Sequence, residues 1–136
     1  MIFSQKLVKH FYQDTNLQLA AICRFTTMLS QLSHMQSHET GDHIKRVSEY
    51  TRILCAASGM DDEAAKVSMA SMMHDIGKLD VPLSILEKPG KLTPDEFEII
   101  KTHVTAGHKL LAGSPGELMQ ISAKIALEHH ERWDGT

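Results

Sequence analysis

The chain has 136 residues and a formal net charge of −3 with its nine histidines counted neutral. An apolar content of 42% with 23% charged residues supports one packed domain and excludes a disordered chain. The acidic balance and only 5% aromatic residues argue against a base-stacking platform or a broad phosphate-backbone binder, and so against DNA as a partner.

Apolar residues recur at helical spacing along the whole chain, and no segment alternates long enough for a strand, which predicts an all-α fold. Ile2, Phe3, Leu7, Val8 and Phe11 mark a first stripe. Leu17, Ala20, Ala21, Phe25, Met28, Leu29 and Leu32 mark a second. The polar run at 34–42 reads as a joint. Ile44, Val47, Tyr50, Thr51 and Leu54 form the next stripe, closed near Gly59. Asp61 is placed to cap a helix running through Met69, Ala70, Met72 and Met73, with Gly77 as its C-terminal cap. Residues 80–92 hold two prolines and Gly90 and read as an ordered loop. Thr93-Pro94-Asp95-Glu96 spells a capping box with proline at the first helical position. It opens a helix carrying Phe97, Ile100, Val104, Leu110 and Leu111, which GSPG at 113–116 ends. A last helix from Glu117 carries Leu118, Ile121, Ile125 and Ala126 into His129 and His130.

Neither a signal peptide nor an apolar run of the ~18 residues a spanning helix needs is visible, so a cytoplasmic protein without a membrane partner is expected. Cys23 and Cys55 are far apart, form no CxxC, and read as reduced core thiols.

The histidines carry the chemical signal. His74-Asp75 ends one helix and His129-His130 ends another. His103 falls on an apolar face between Ile100 and Val104, and His43 follows Glu39 by one helical turn. Imidazole and carboxylate together suit iron, manganese or zinc. A carboxylate can bridge two ions, and two metals ~3.5–4 Å apart can activate water and neutralise a phosphoryl oxygen. Adjacent His129 and His130 project ~100° apart and can flank one inward line. His10, His34, His38 and His108 read as structural or surface residues, His108 because it lies about 140° around the helix from His103.

These motifs resemble a known family. HDIGK at 74–78 matches the signature of the HD phosphohydrolase superfamily. ETGDHIKRV at 39–47, the run from His74 to Phe97, His103 with Gly107, and HHERWDGT at 129–136 look like its HD-GYP branch. The resemblance covers residues 39–136 and implies an HD-domain helical bundle. It implies hydrolysis of cyclic di-GMP or a related cyclic dinucleotide to pGpG or GMP in bacterial second-messenger signalling. Two or three divalent metals are implied, iron first, with manganese, zinc or nickel as alternatives. Carried over residue by residue, the ligands are Glu39, His43, His74, Asp75, His103, His129 and His130, with Asp75 bridging. Lys78 is implied to contact phosphate and to position or protonate the reacting group. Arg46 is a further candidate for substrate phosphate.

The chain ends at Asp134-Gly135-Thr136, where the family continues into Gly-Tyr-Pro. The resemblance therefore implies a core at 39–136 lacking that loop and a later aspartate ligand. Residues 1–38 are expected to be helices that pack on this core, a connector from an upstream sensor or receiver domain, or a homodimer contact, and a diguanylate cyclase is a further partner the resemblance implies. Two other readings stay open: a signalling or interaction module without turnover, and another HD phosphohydrolase acting on nucleotides.

Overall fold

The protein is described from a computed structural model that covers Arg24, Thr27, Met28 and residues 41–135. The expected helices of 1–38, together with Glu39 and Cys23, lie outside the described residues apart from those three. Among the described residues the fold is an all-α bundle with no strand. Its helices are α1 (Gly41–Ala57), α2 (Asp61–Ser71), α3 (Leu83–Leu86), α4 (Pro94–Lys101), α5 (His103–Ala112) and α6 (Glu117–Glu128). A 3-10 segment, Ile76–Asp80, follows α2. No described helix is long and apolar enough to cross a membrane.

Two pairs of helices build the bundle. The pair α1 and α2 packs together, as do α5 and α6, and α2 joins the pairs by lying on α6. Small polar residues seal the first pair: Ser68 Oγ donates to the Ser48 carbonyl at 2.9 Å and lies 2.8 Å from Ser48 Oγ. The core between α5, α6 and the 3-10 segment is Met73, Ile76, Leu111, Ala123 and Ala126. Met73 is fully buried, and such a side chain stabilises by about 1.5–3 kcal/mol. Cys55 is a buried free thiol, as its sequence setting suggested.

The Thr93 box forms as read. Thr93 Oγ1 accepts from the Glu96 amide, Glu96 Oε2 accepts from the Thr93 amide at 2.7 Å, and Pro94 opens the helix. Elsewhere the sequence reading needs correction. Met60, not Asp61, occupies the N-cap of α2, and Asp61 begins the helix. Residues 80–92 are not all loop, since Leu83–Leu86 is a helical turn that buries Ile85. The single helix expected from 94 to 111 is two. Thr102 keeps right-handed helical angles, yet Thr102 Oγ1 donates to the Ile99 carbonyl and Thr105 Oγ1 to the Thr102 carbonyl. Such side-chain bonds compete with the helical ladder. Tyr50, Leu54, Phe97 and Leu110, members of the apolar stripes, are more than half exposed.

Gly77 is the most informative correction. It does not cap α2, which ends at Ser71, and its φ is not positive. It sits inside the 3-10 segment against α5. A Cβ built there would meet the His103 carbonyl oxygen at 1.9 Å and the Gly107 nitrogen at 2.4 Å. Gly107 completes the crossing, with a built Cβ 3.2 Å from Ala126 Cβ. Glycine is needed here for contact between backbones rather than for a turn.

Candidate metal centre

The end of α2 tightens before it reaches Asp75. Amides of Met73, His74, Ile76 and Lys78 donate to carbonyls three residues back, at 3.0–3.3 Å. At that pitch side chains three apart eclipse. Asp75 and Lys78 therefore stack, and Lys78 Nζ lies 2.8 Å from Asp75 Oδ2. Two residues past Asp75, the glycine crossing draws the start of α5 against the same segment. That crossing brings His103 Nε2 to 3.3 Å from Asp75 Oδ1. The end of α6 supplies His129, whose Nε2 is 3.5 Å from the same oxygen and 3.3 Å from His103 Nε2.

One device recurs at three helix ends. His74 Nδ1 donates to the Ser71 carbonyl at 2.8 Å, His103 Nδ1 to Ile100 at 2.7 Å, and His129 Nδ1 to Ala126 at 3.1 Å. Each acceptor lies three residues back, in the last turn of α2, α4 or α6, where helix carbonyls lack ladder partners. A carbonyl only accepts, so each Nδ1 carries a proton, and in the neutral ring the Nε2 lone pair is left to face inward as a metal ligand would. Helix C-termini also bear partial negative charge, which favours a cation nearby. Lone pairs on His103 and His129 facing each other and a carboxylate repel unless a cation or proton lies between them.

Asp75, His103, His129 and His130 offer ligand atoms all within 4.8 Å of one another, an arrangement able to hold a metal ion. Asp75 and His103 are buried, and His130 is exposed at the mouth. On the far side, His74 Nε2 is 3.1 Å from Asp75 Oδ2. The His74 ring lies 5.2 Å from the His129 ring and 6.0 Å from that of His43, centroid to centroid. Six of the expected residues thus gather around Asp75, with His43 the most distant. Arg46 is exposed one turn along α1 from His43. His108 turns away, its Nδ1 donating to the Ala123 carbonyl at 3.2 Å, and ties α5 to α6.

Charge follows the geometry. Burial alone pushes the Asp75 carboxyl up. When a proton or cation lies between them and the carboxylate, the imidazoles of His103, His129 and His74 outweigh that burial and hold the group well below the usual carboxylate range. Burial lowers His74, but the bond and charge of Asp75 and the Ser71 carbonyl leave it raised above its ordinary value. His130 is lowered by burial and by the neighbouring His129 and His103.

Sequence reading did not find the three carbonyl anchors or the glycine crossing. The anchors do have a local signal, a histidine at or just past a helix end with its acceptor three residues earlier.

The HD domain family model matches residues 27–136. The chain belongs to the HD domain family. A cyclic di-GMP phosphodiesterase of Thermotoga maritima is 38% identical over 133 residues, 97% of this chain and 35% of that protein. A 3'3'-cGAMP-specific phosphodiesterase 2 of Vibrio cholerae is 42% identical over 109 residues, 79% of this chain and 21% of that one. The cyclic di-GMP phosphodiesterase response regulator RpfG of Xanthomonas campestris is 41% identical over 98 residues, 71% and 26% of the two chains. The chain thus spans about a third or less of the length of these curated relatives. Their names agree with the HD-GYP resemblance carried by HDIGK and HHERWDGT.

Proposed function

We propose that this domain is the catalytic core of a metal-dependent phosphodiesterase acting on a cyclic dinucleotide, cyclic di-GMP first. One observation carries the reading. The two oxygens of Asp75 are divided between two sets of imidazoles, Oδ1 toward His103 and His129 and Oδ2 toward His74. A carboxylate so placed suits a bridge between two ions. His103, His129 and His130 would hold one ion with Asp75. His74, His43 and Glu39 would hold the second, Glu39 lying outside the described residues. The donor set suits iron, with manganese, zinc or nickel as alternatives, and two or three ions.

Bound there, divalent metals supply an activated water and neutralise charge developing on phosphorus. The chain's own groups do the rest. The Ser71, Ile100 and Ala126 carbonyls fix which nitrogen of each ring faces inward. Lys78, held at Asp75, is a cation within the centre that can turn to a phosphate oxygen and donate to it. Arg46 adds positive charge near the His43 side. The names of the relatives support a diester of this class. Residues 39–136 would form the core and residues 1–38 helices that pack on it or connect it to an upstream domain.

Elemental analysis of the purified protein, with cleavage of cyclic di-GMP and 3'3'-cGAMP before and after chelation, tests this. The expected result is about two metals per chain, as a two-metal site requires, with cleavage lost on chelation and restored by Fe2+ or Mn2+. Cleavage that survives chelation overturns the metal role. Metal uptake without cleavage of either dinucleotide overturns the activity.

A further inference from the structure

A second cavity opens beside the Asp75 centre, between α4, α5 and α6, with a volume of about 330 Å³. Phe97, Ile100, Val104 and Leu127 make its apolar wall, and Lys101 and Glu131 stand among its polar lining. His103 and His130 belong both to this cavity and to the cluster around Asp75. Whatever is held at the centre therefore has this cavity as its neighbour. Phe97, one of the apolar residues of the capped helix, is 53% exposed. The Lys101 ammonium sits 5.5 Å from its ring centroid and is held by Glu98 at 2.5 Å.

We propose that this cavity is a guanine subsite, taking one base of a cyclic dinucleotide whose phosphodiester lies at the Asp75 centre. The inference rests on the function proposed above and names the part of the substrate that the metal centre does not recognise. A planar base needs apolar surface for its faces and polar partners for its edge, and this cavity offers both. Phe97 provides a ring for stacking, and Ile100, Val104 and Leu127 exclude water. Glu131 is an acceptor-only carboxylate when ionised. The guanine edge presents two adjacent donors, N1–H and N2–H2, while adenine puts an acceptor nitrogen at the first of these positions. Lys101, a donor only, suits the guanine O6. The lining is thus complementary to guanine and mismatched to adenine.

The test is equilibrium binding of GMP, AMP and ribose 5-phosphate to the metal-loaded protein by calorimetry, which needs no turnover. GMP is expected to bind about tenfold tighter than ribose 5-phosphate, the scale of one stacked base. Phe97→Ala should erase that preference and leave the ribose 5-phosphate affinity and the metal content unchanged, and Phe97→Trp should retain it. Glu131→Gln should narrow the gap between GMP and AMP. Equal binding of GMP and ribose 5-phosphate overturns the subsite alone. So does a Phe97→Ala protein that weakens both ligands equally or keeps the full GMP preference. Failure of all three ligands to bind a protein that holds its metals overturns the reading of the centre as a phosphate site, and the subsite with it.

Discussion

The two sides of the Asp75 centre are built differently. On one side, α5, α6 and the 3-10 segment meet through Gly77, Gly107 and Ala126, with no side chain between Gly77 and the α5 backbone. His103 and His129 stand within 3.5 Å of Asp75 Oδ1 as a result. On the other side α1 brings His43 only to 6.0 Å from the His74 ring, and a serine pair fastens α1 to α2. A backbone crossing leaves little room for adjustment, since packed interiors transmit strain. A hydroxyl pair gives more readily. On the two-metal reading proposed above, one ion position would be preorganised by the fold, and the other would depend on how firmly α1 is held.

The largest expected effect falls on the residue both sides share. Asp75→Asn removes a charge from both ion positions while keeping the shape. Metal affinity should fall by about 100-fold or more at both, beyond the loss typical of an outer partner. Metal titration followed by elemental analysis measures it. Loss of one ion only would mean that Asp75 does not bridge.

Next come the glycines, which separate a clash from a tight fit. Gly77→Ala places a methyl where only 1.9 Å separates it from the His103 carbonyl, so α5 must move. A cost of about 3 kcal/mol or more is expected, at or above the top of the overpacking range. Gly107→Ala meets its neighbours at 3.2 Å and should cost about 1 kcal/mol. Urea denaturation of the metal-free proteins ranks the two. Equal costs would show that the crossing relaxes to accept either methyl.

Local grammar was legible in the chain, and long-range approach was not. The Thr93 box needs only four consecutive residues, so its bonds could be read directly. His74-Asp75 and His129-His130 were legible for the same reason. Gly77 was misread as a cap because its reason lies in His103 and Gly107, 26 and 30 residues away, and periodicity carries no such information. The break at Thr102 left no glycine or proline signal, and its backbone stays right-handed helical. Phe97 has helical spacing like any core residue, yet it faces the cavity beside the centre rather than the core.

The looser side has its own test. Ser68→Ala removes the hydroxyl that bonds both Ser48 Oγ and the Ser48 carbonyl. A cost of about 1 kcal/mol is expected for that hydrogen bonding. The second ion to bind should weaken more than the first, because His43 moves with α1 and His103 does not. Parallel weakening of both ions in a stepwise titration would break the distinction drawn between the two sides.

The smallest effect lies at the start of α4, and it tests the shelf beside the centre. Lys88 reaches Glu96 at 2.6 Å, and the Thr93 amide donates to the same carboxylate. Lys88 first, then the Thr93 amide, hold Glu96 below its ordinary value. A carboxyl depressed in the folded state stabilises above its unfolded value, about 4.3, and that support is lost as pH falls through the lower folded value. Glu96→Gln should therefore remove that support at neutral pH, leave stability at strongly acidic pH nearly unchanged, and so flatten the acid limb of stability below about pH 4.3. Thr93→Ala should cost about 1 kcal/mol at every pH, as expected for a lost N-cap. Because α4 carries Phe97 and ends at the Ile100 carbonyl that anchors His103, fraying of its first turn should leave metal affinity intact. Loss of metal in Thr93→Ala would show that the anchor of His103 depends on the whole of α4 and not on its last turn.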